Sequence, residues 1–253
     1  MWFITKIVNN LLKLIAPLYY VGKEHANGIA AVRFGNVMFQ ARHNSLDAFA
    51  LYEIWRYKSY SEAEIRRDDV VVDIGANIGG YAVLAAKSGA RVFAYEPVPE
   101  TYQLLSKNII INNCHTVKSY NVAVGSKIGE LTLNVNPQAA GLDSIYHTFS
   151  STEKIKVPSI DLHEIFVQNK LKKIDVLKID VEGAEYDILL NARSSDMRKV
   201  RTITMEYHDF LDHGHNKKEL IRFLRSNGFE VQLRIPWIVD KLLREGKILA
   251  VRK

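Results

Sequence analysis

The chain has 253 residues, six prolines and one cysteine, with 34 Lys+Arg against 28 Asp+Glu. That length suits one large domain or two small ones and supports a full-sized core without staples. Cys114 alone excludes an internal disulfide framework and a multi-cysteine zinc site, and it fits a reducing, cytoplasmic compartment; no run is apolar enough to read as a membrane span. Residues 1–192 carry 20 basic and 20 acidic side chains and residues 193–253 carry 14 and 8, so the net charge of +6 sits in the last quarter. A basic end could meet an anionic partner, but Phe223 is the one aromatic among Lys217, Lys218, Arg222 and Arg225, too few to stack successive bases. A solvated helix face is the simpler account.

Ile4, Ile7, Leu11, Leu14 and Leu18 recur at helical spacing, which predicts an amphipathic helix over the first twenty residues. Packing on its own domain is the default expectation, with a dimer contact or a peripheral membrane contact as the alternatives. Residues 1–65 read as a helical N-terminal cap that does not fold independently, and residues 66–253 as one α/β domain. From Val70 onward strand alternates with helix. Val70–Ile74 is a continuous β-branched run suited to a strand buried on both faces. Helix 81–88, strand 91–95, a helix from about Glu100 to Asn112 and a third strand from Val117 to Val124 follow. A hairpin insertion is expected from residues 129–135 and 154–159. Strands at 176–179 and 201–205 flank a helix over 184–191, and helix 216–227 precedes a terminal strand pair at 229–235 and 248–252. The repeated strand–helix unit predicts a Rossmann-like, mostly parallel sheet of seven strands with helices on both faces.

In such a sheet ligands bind beyond the C-terminal strand ends, so the loop after the first strand carries the first chemical signal. It reads Asp73-Ile74-Gly75-Ala76-Asn77-Ile78-Gly79. A dinucleotide fingerprint would place glycine where Asn77 stands, and Asp73 has the wrong sign for a pyrophosphate. An acid there suits a ligand bearing an ammonium and a sulfonium, as S-adenosylmethionine does. Glu96 ends the second strand about 20 residues past the glycine turn, where a carboxylate accepts from both ribose hydroxyls. Val122 and Ala123 offer small apolar surface to an adenine ring.

These residues, with Glu96-Pro97-Val98-Pro99, Asn108-Ile109, Ala123-Val124-Gly125, Lys178-Ile179-Asp180-Val181-Glu182-Gly183-Ala184-Glu185 and Glu206-Tyr207-His208, occur in the order typical of FkbM-family methyltransferases. The resemblance covers roughly Asp47 to Ile235. It implies a class I S-adenosylmethionine-dependent methyltransferase, with residues 66–253 as its domain, usually acting on hydroxyl oxygens. Asp47 and Ser144 are expected by resemblance to line the acceptor pocket.

On the acceptor side, Asp180 and Glu182 are expected just past the fourth strand, and Glu206 and His208 just past the fifth. These four are the candidate catalytic groups. His208 leads as general base on its unperturbed pKa, near 6.5, with Glu206 and Glu182 beside it. Glu185 reads equally as an acid at a helix N-terminus. Asp180, Glu182 and Glu206 are oxygen donors of the kind magnesium takes, so a divalent metal is compatible without being predicted. The patch of His208, Asp209, Asp212, His213 and His215 has no recognised zinc spacing. The leading expectation is O-methylation of a small molecule or sugar. Two alternatives remain: a nucleic-acid methyltransferase, disfavoured by two carboxylates in place of an N/D-P-P-[YF] loop, and a catalytically silent binding module.

Overall fold

A computed structural model describes residues 28–43, 45–135, 153–209, 215–234 and 245–253. The expected helix over residues 1–20 lies outside them, as do Ser144, Asp212 and His213.

The chain opens with a hairpin, β1 (Ile29–Phe34) and β2 (Val37–Arg42), followed by α1 (Asp47–Trp55). The described part of the expected helical cap is therefore half strand. The physical reason is visible in Ala-Ala-Val-Arg-Phe-Gly-Asn-Val-Met-Phe: alternate residues are buried and Gly35 turns with φ +60°, a two-residue period that outweighs the helical reading. The hairpin is held from the side. Asn108 and Asn112, one turn apart on α3 (Pro99–Ile111 with Asn112 as its cap), offer their amides to β2 as a neighbouring strand would. Asn108 Nδ2 donates to Gln40 O at 3.0 Å while its Oδ1 accepts from Gln40 N at 2.7 Å, and Asn112 repeats the pair on Met38 at 2.7 and 3.1 Å. Phe34, Phe39 and Trp55 close the hairpin against α1.

The main sheet has seven strands in the order β11 (Phe229–Leu233), β12 (Glu245–Arg252), β10 (Val200–His208), β9 (Ile174–Ile179), β3 (Val70–Ile74), β4 (Arg91–Tyr95) and β5 (Val117–Tyr120). Its neighbours pair in parallel except on either side of β12, which runs antiparallel to both. Helices α2 (Gly80–Lys87), α3, α4 (Leu162–Gln168), α5 (Glu185–Leu190), α6 (Ser194–Met197) and α7 (Lys217–Ser226) connect the strands. The chain leaves β3 towards β4 and β5, then returns to β9 on the other side. The order thus reverses between β3 and β9, and the crevice above that point is where an open α/β sheet binds its ligand.

The expected third strand is split. Val117–Tyr120 belongs to the main sheet, whereas β6 (Ala123–Val124) joins β8 (Glu153–Ile160) and β7 (Gly129–Val135) in a separate three-stranded sheet. Asn121 makes the break, its Nδ2 donating to Glu96 O and Pro97 O at 2.9 Å each. Both central strands are buried at every position, charges included. Asp73 and Lys178 sit in register across the β3–β9 pair and form an ion pair at 3.2 Å. A lone buried charge would cost several kcal/mol in such a position (order ~3–5), and the partner across the ladder offsets that cost.

Candidate active site

The loop after β3 is held by backbone bonds to both neighbouring strands. Gly75 and Ala76 each donate to Tyr95 O at 3.0 Å, and Asp180 N donates to Ile74 O at 3.0 Å. Gly75, at φ +75°, is compelled: a Cβ there would lie 1.8 Å from Asp180 O. The two ligand-facing loops therefore touch backbone to backbone, which only glycine permits. Asn77 also takes a left-handed φ of +48°, and its N–H donates to Glu96 Oε2 at 2.9 Å. Glu96 Oε1 accepts from Val98 N at 2.9 Å. Each carboxylate oxygen has two acceptor sites, so these backbone donors orient Glu96 without exhausting it. Asn77 Oδ1 is buried with no hydrogen-bond partner. A close glycine turn, an oriented acid and a buried polar atom without a partner fit a hydroxyl-bearing, amine-bearing cofactor. Val122 and Ala123 follow on the strand side, with Ala123 in a small core with Val98.

Asp73 departs from its expected part. Its carboxylate is fully buried and faces Lys178, not an open pocket, and Lys178 Nζ also donates to Gly75 O at 2.7 Å. Burial pushes the Asp73 carboxyl up and Lys178 pulls it back. Burial also opposes the Lys178 charge, but Asp73 and Asp180 overcome it and hold the ammonium above its usual value. Asp73 thus shapes the loop through Lys178. Asp47 likewise departs: it is buried in a bidentate pair with Arg42 (2.9 and 2.8 Å) and accepts from Arg42 N at 2.8 Å, so it braces the hairpin.

Glu206 and His208 lie within β10, not beyond it. The parallel partner β9 ends at Ile179 opposite Met205, but antiparallel β12 continues the ladder and pairs Glu206 with Lys247 and His208 with Glu245. Two apart on a strand, they share one face. His208 is buried between two acids: Nδ1 lies 3.0 Å from Glu185 Oε1, and Nε2 lies 3.6 Å from Glu182 Oε2. Glu185 also accepts from His208 N at 2.7 Å and Gly183 N at 2.8 Å, so it is an internal brace more than a helix-end charge. Burial works against an imidazolium here, yet Glu182 and Glu185 outweigh it and hold the His208 pKa well above its usual value. Burial also drives Glu182, at a left-handed φ of +50°, up to about 8. Both shifts favour the protonated form, which counts against His208 as the general base.

Asp180 behaves in the opposite way. Burial opposes its charge, but Lys178 and His208 outweigh that and hold its carboxyl below the ordinary range. Asp180, Glu182 and His208 each place a ligand atom within 4.8 Å of the others. A cation binding there would displace the imidazole proton, so the set is compatible with a divalent metal, and we assign none to it. Glu206 is drawn away from it, towards Lys247 at 3.1 Å and the Tyr60 hydroxyl at 2.7 Å. Asp209 is turned to the Tyr186 hydroxyl and to Lys217 N, and His215 pairs with Glu219 at 2.8 Å.

Sequence reasoning missed Tyr60 and Lys247. Tyr60 stands in a turn with no motif around it, and Lys247 becomes legible only through the β10–β12 register.

The match to known families falls on this same frame: the methyltransferase FkbM domain matches residues 73–231. The chain belongs to the FkbM methyltransferase family. It is an S-adenosylmethionine-dependent methyltransferase with a Rossmann-like class I fold. Among curated relatives, it is 26% identical over 236 residues to the 31-O-demethyl-FK506 methyltransferase FkbM of Streptomyces tacrolimicus, covering 80% of this chain and 90% of that protein. It is 29% identical over 169 residues to the hexuronic acid methyltransferase AglP of Haloferax volcanii, covering 63% and 68%. In fold it is similar to the tRNA (uracil-54, C5)-methyltransferase of Pyrococcus abyssi in complex with S-adenosyl-L-homocysteine (TM-score 0.50, 13% identity, 91% of this chain and 44% of that one). Tyr60 and Lys247 both lie outside the matched FkbM residues. Among the described residues, no helix is long and apolar enough to cross a membrane.

Proposed function

We propose that this FkbM-family enzyme transfers the methyl group of S-adenosylmethionine to a hydroxyl oxygen of a small molecule or sugar. The cofactor, when bound, supplies a methyl carbon activated by a sulfonium. Glu96 would hold the ribose hydroxyls, Gly75 and Asn77 would bring backbone and side-chain amide groups against the ligand, and Val122 and Ala123 would lie against the adenine. Asp73 acts through Lys178 on the shape of that loop.

The geometric support for the acceptor side is Asp180, which touches the glycine loop through its own backbone. Its carboxyl is held below the ordinary range, whereas the surroundings of His208 and Glu182 push both towards their protonated forms. Asp180 is therefore assigned as the base. The acceptor O–H would give its proton to Asp180, and the electron pair left on oxygen would form the bond to the methyl carbon as the methyl–sulfur bond breaks, the sulfur keeping that bond's pair and leaving as S-adenosylhomocysteine. A positioned base of this kind contributes about 10²–10⁴-fold, and alignment of oxygen with methyl contributes several kcal/mol more (up to ~7–11 in the best cases). The relative named for 31-O-demethyl-FK506 supports an oxygen acceptor, and the one named for a hexuronic acid supports a sugar.

The test is incubation with methyl-labelled S-adenosylmethionine and an extract of the source cells, followed by alkali. Label that stays on a small molecule or glycan through alkali, with the carbon-13 shift of a methyl on oxygen, is an ether, as expected; a methyl on nitrogen or carbon would overturn the assignment. Label released as methanol would mean a carboxyl acceptor, and label made soluble only by nuclease would mean nucleic acid. Either would overturn the hydroxyl assignment.

A further inference from the structure

Tyr60 joins the two strand ends that carry the acceptor-side acids. It follows α1 with a left-handed φ of +70° and is 4% exposed, its ring packed edge-on against Tyr81 at 5.7 Å. Its hydroxyl lies 2.7 Å from Glu206 Oε1 on β10 and 3.0 Å from Asp180 Oδ2 after β9. Two lysines flank the same ring, Lys247 at 4.4 Å and Lys178 at 5.7 Å from its centroid. They pair with the same two acids, Lys247 with Glu206 at 3.1 Å and Lys178 with Asp180 at 3.6 Å. The result is a chain of contacts, Lys178–Asp180–Tyr60–Glu206–Lys247, assembled from four separate segments.

A phenol has one proton and two acceptor lone pairs. With both acids ionised, Tyr60 donates to one and turns a lone pair to the other. The shorter contact and the second donor, Lys247, both fall on Glu206 Oε1, so the proton belongs there and the lone pair faces Asp180. We propose that Tyr60 is a positioning residue of the acceptor site, clamping Asp180 to Glu206 through its single hydroxyl proton and leaving Asp180 as the carboxylate with no donor from the phenol. When Asp180 takes the acceptor's proton, its new O–H can donate to the waiting Tyr60 oxygen, and every contact in the chain is then satisfied. Tyr60 gives up no proton itself. Asp73 on β3, Glu53 on α1, Glu182 after β9, His208 on β10 and Glu245 on β12 are the other titratable groups that face this chain. The functional meaning of the clamp rests on the methyltransferase reading of the site, but its geometry does not.

Tyr60→Phe keeps the ring and its packing and removes only the hydroxyl. The full-length wild type and variant would be compared by carbon-13 NMR of labelled Asp and Glu carboxyls, with Asp180→Asn and Glu206→Gln used for assignment, and by calorimetric titration with S-adenosylhomocysteine. The expected result is a shift of both the Asp180 and the Glu206 carboxyl resonances while affinity stays within about threefold of wild type. A response of one carboxyl alone, or of neither, overturns the clamp. A loss of affinity beyond about tenfold places Tyr60 on the cofactor side and overturns it too. Wild-type protein that binds no S-adenosylhomocysteine but shows the two-carboxyl response would sink the cofactor assignment and leave the clamp standing.

Discussion

His208 illustrates how far a side chain's surroundings can move it from its intrinsic chemistry. Free imidazole titrates near neutrality and makes a ready base. Here the ring is buried against Glu185 and Glu182, and these surroundings favour its protonated form. Its role is to pair with the buried Glu185. His208→Ala should accordingly destabilise the fold by about 3–5 kcal/mol, because it leaves that acid without its cation. Urea unfolding measures this, and a loss below about 1 kcal/mol, the worth of an exposed pair, would contradict the buried-pair account. The residue types were legible in the sequence: Asp180, Glu182 and His208 converge, and Glu206 reaches Asp180 through Tyr60. Their electrostatics were not, since they depend on His208 on β10 meeting Glu182 and Glu185 from the segment after β9. The sign of Asp73 suggests a cationic ligand, and in the fold the cation it faces is Lys178 on the neighbouring strand.

At the scale of elements, the two loops at the sheet's reversal point act as one unit, joined where Gly75 meets Asp180. Gly75→Ala should abolish S-adenosylhomocysteine binding and lower the thermal midpoint, since the new Cβ would lie 1.8 Å from a carbonyl oxygen. Gly35→Ala is the matched control. It also sits at positive φ, +60°, but has nothing within 4 Å of the added carbon, so it carries only the left-handed strain of about 1–2 kcal/mol. Similar losses in the two variants, with binding kept in both, would show that the loop contact is not what glycine protects. The parallel strands and their helices could be read from β-branched runs and glycine stops. The break at Asn121 and the docking of the β1–β2 hairpin on α3 could not, because both rest on side-chain amides reaching backbone that is distant in sequence, Asn121 to Glu96 and Pro97 and Asn108 and Asn112 to β2.

For the whole molecule, the buried charges tie stability to pH. Glu182 is raised from 4.5 to about 8, and His208 is raised well above 6.5. In both cases the folded chain binds the proton more tightly than the unfolded chain. The stability they contribute is complete below the unfolded values and is lost as pH rises through the folded ones. The thermal midpoint should therefore fall as pH rises from about 4.5 to about 8, the window of Glu182, with His208 adding to the fall above 6.5, and Glu182→Gln should flatten it. A midpoint that rises over that window would contradict the assignment. The net charge of +6 says nothing about this site, where acids predominate; composition averages over a surface that the crevice does not resemble.

The central claim is a division of labour across the reversal point, with cofactor held on the β3–β4 side and acceptor chemistry on the β9–β10 side. Calorimetric titration of S-adenosylhomocysteine into Glu96→Ala and Asp180→Asn tests it most directly, since no acceptor is needed. Glu96→Ala should lose about 1.5–3 kcal/mol of binding, the scale of hydrogen bonds to a charged group, while Asp180→Asn stays within about threefold of wild type. Binding lost in Asp180→Asn and kept in Glu96→Ala would contradict the account.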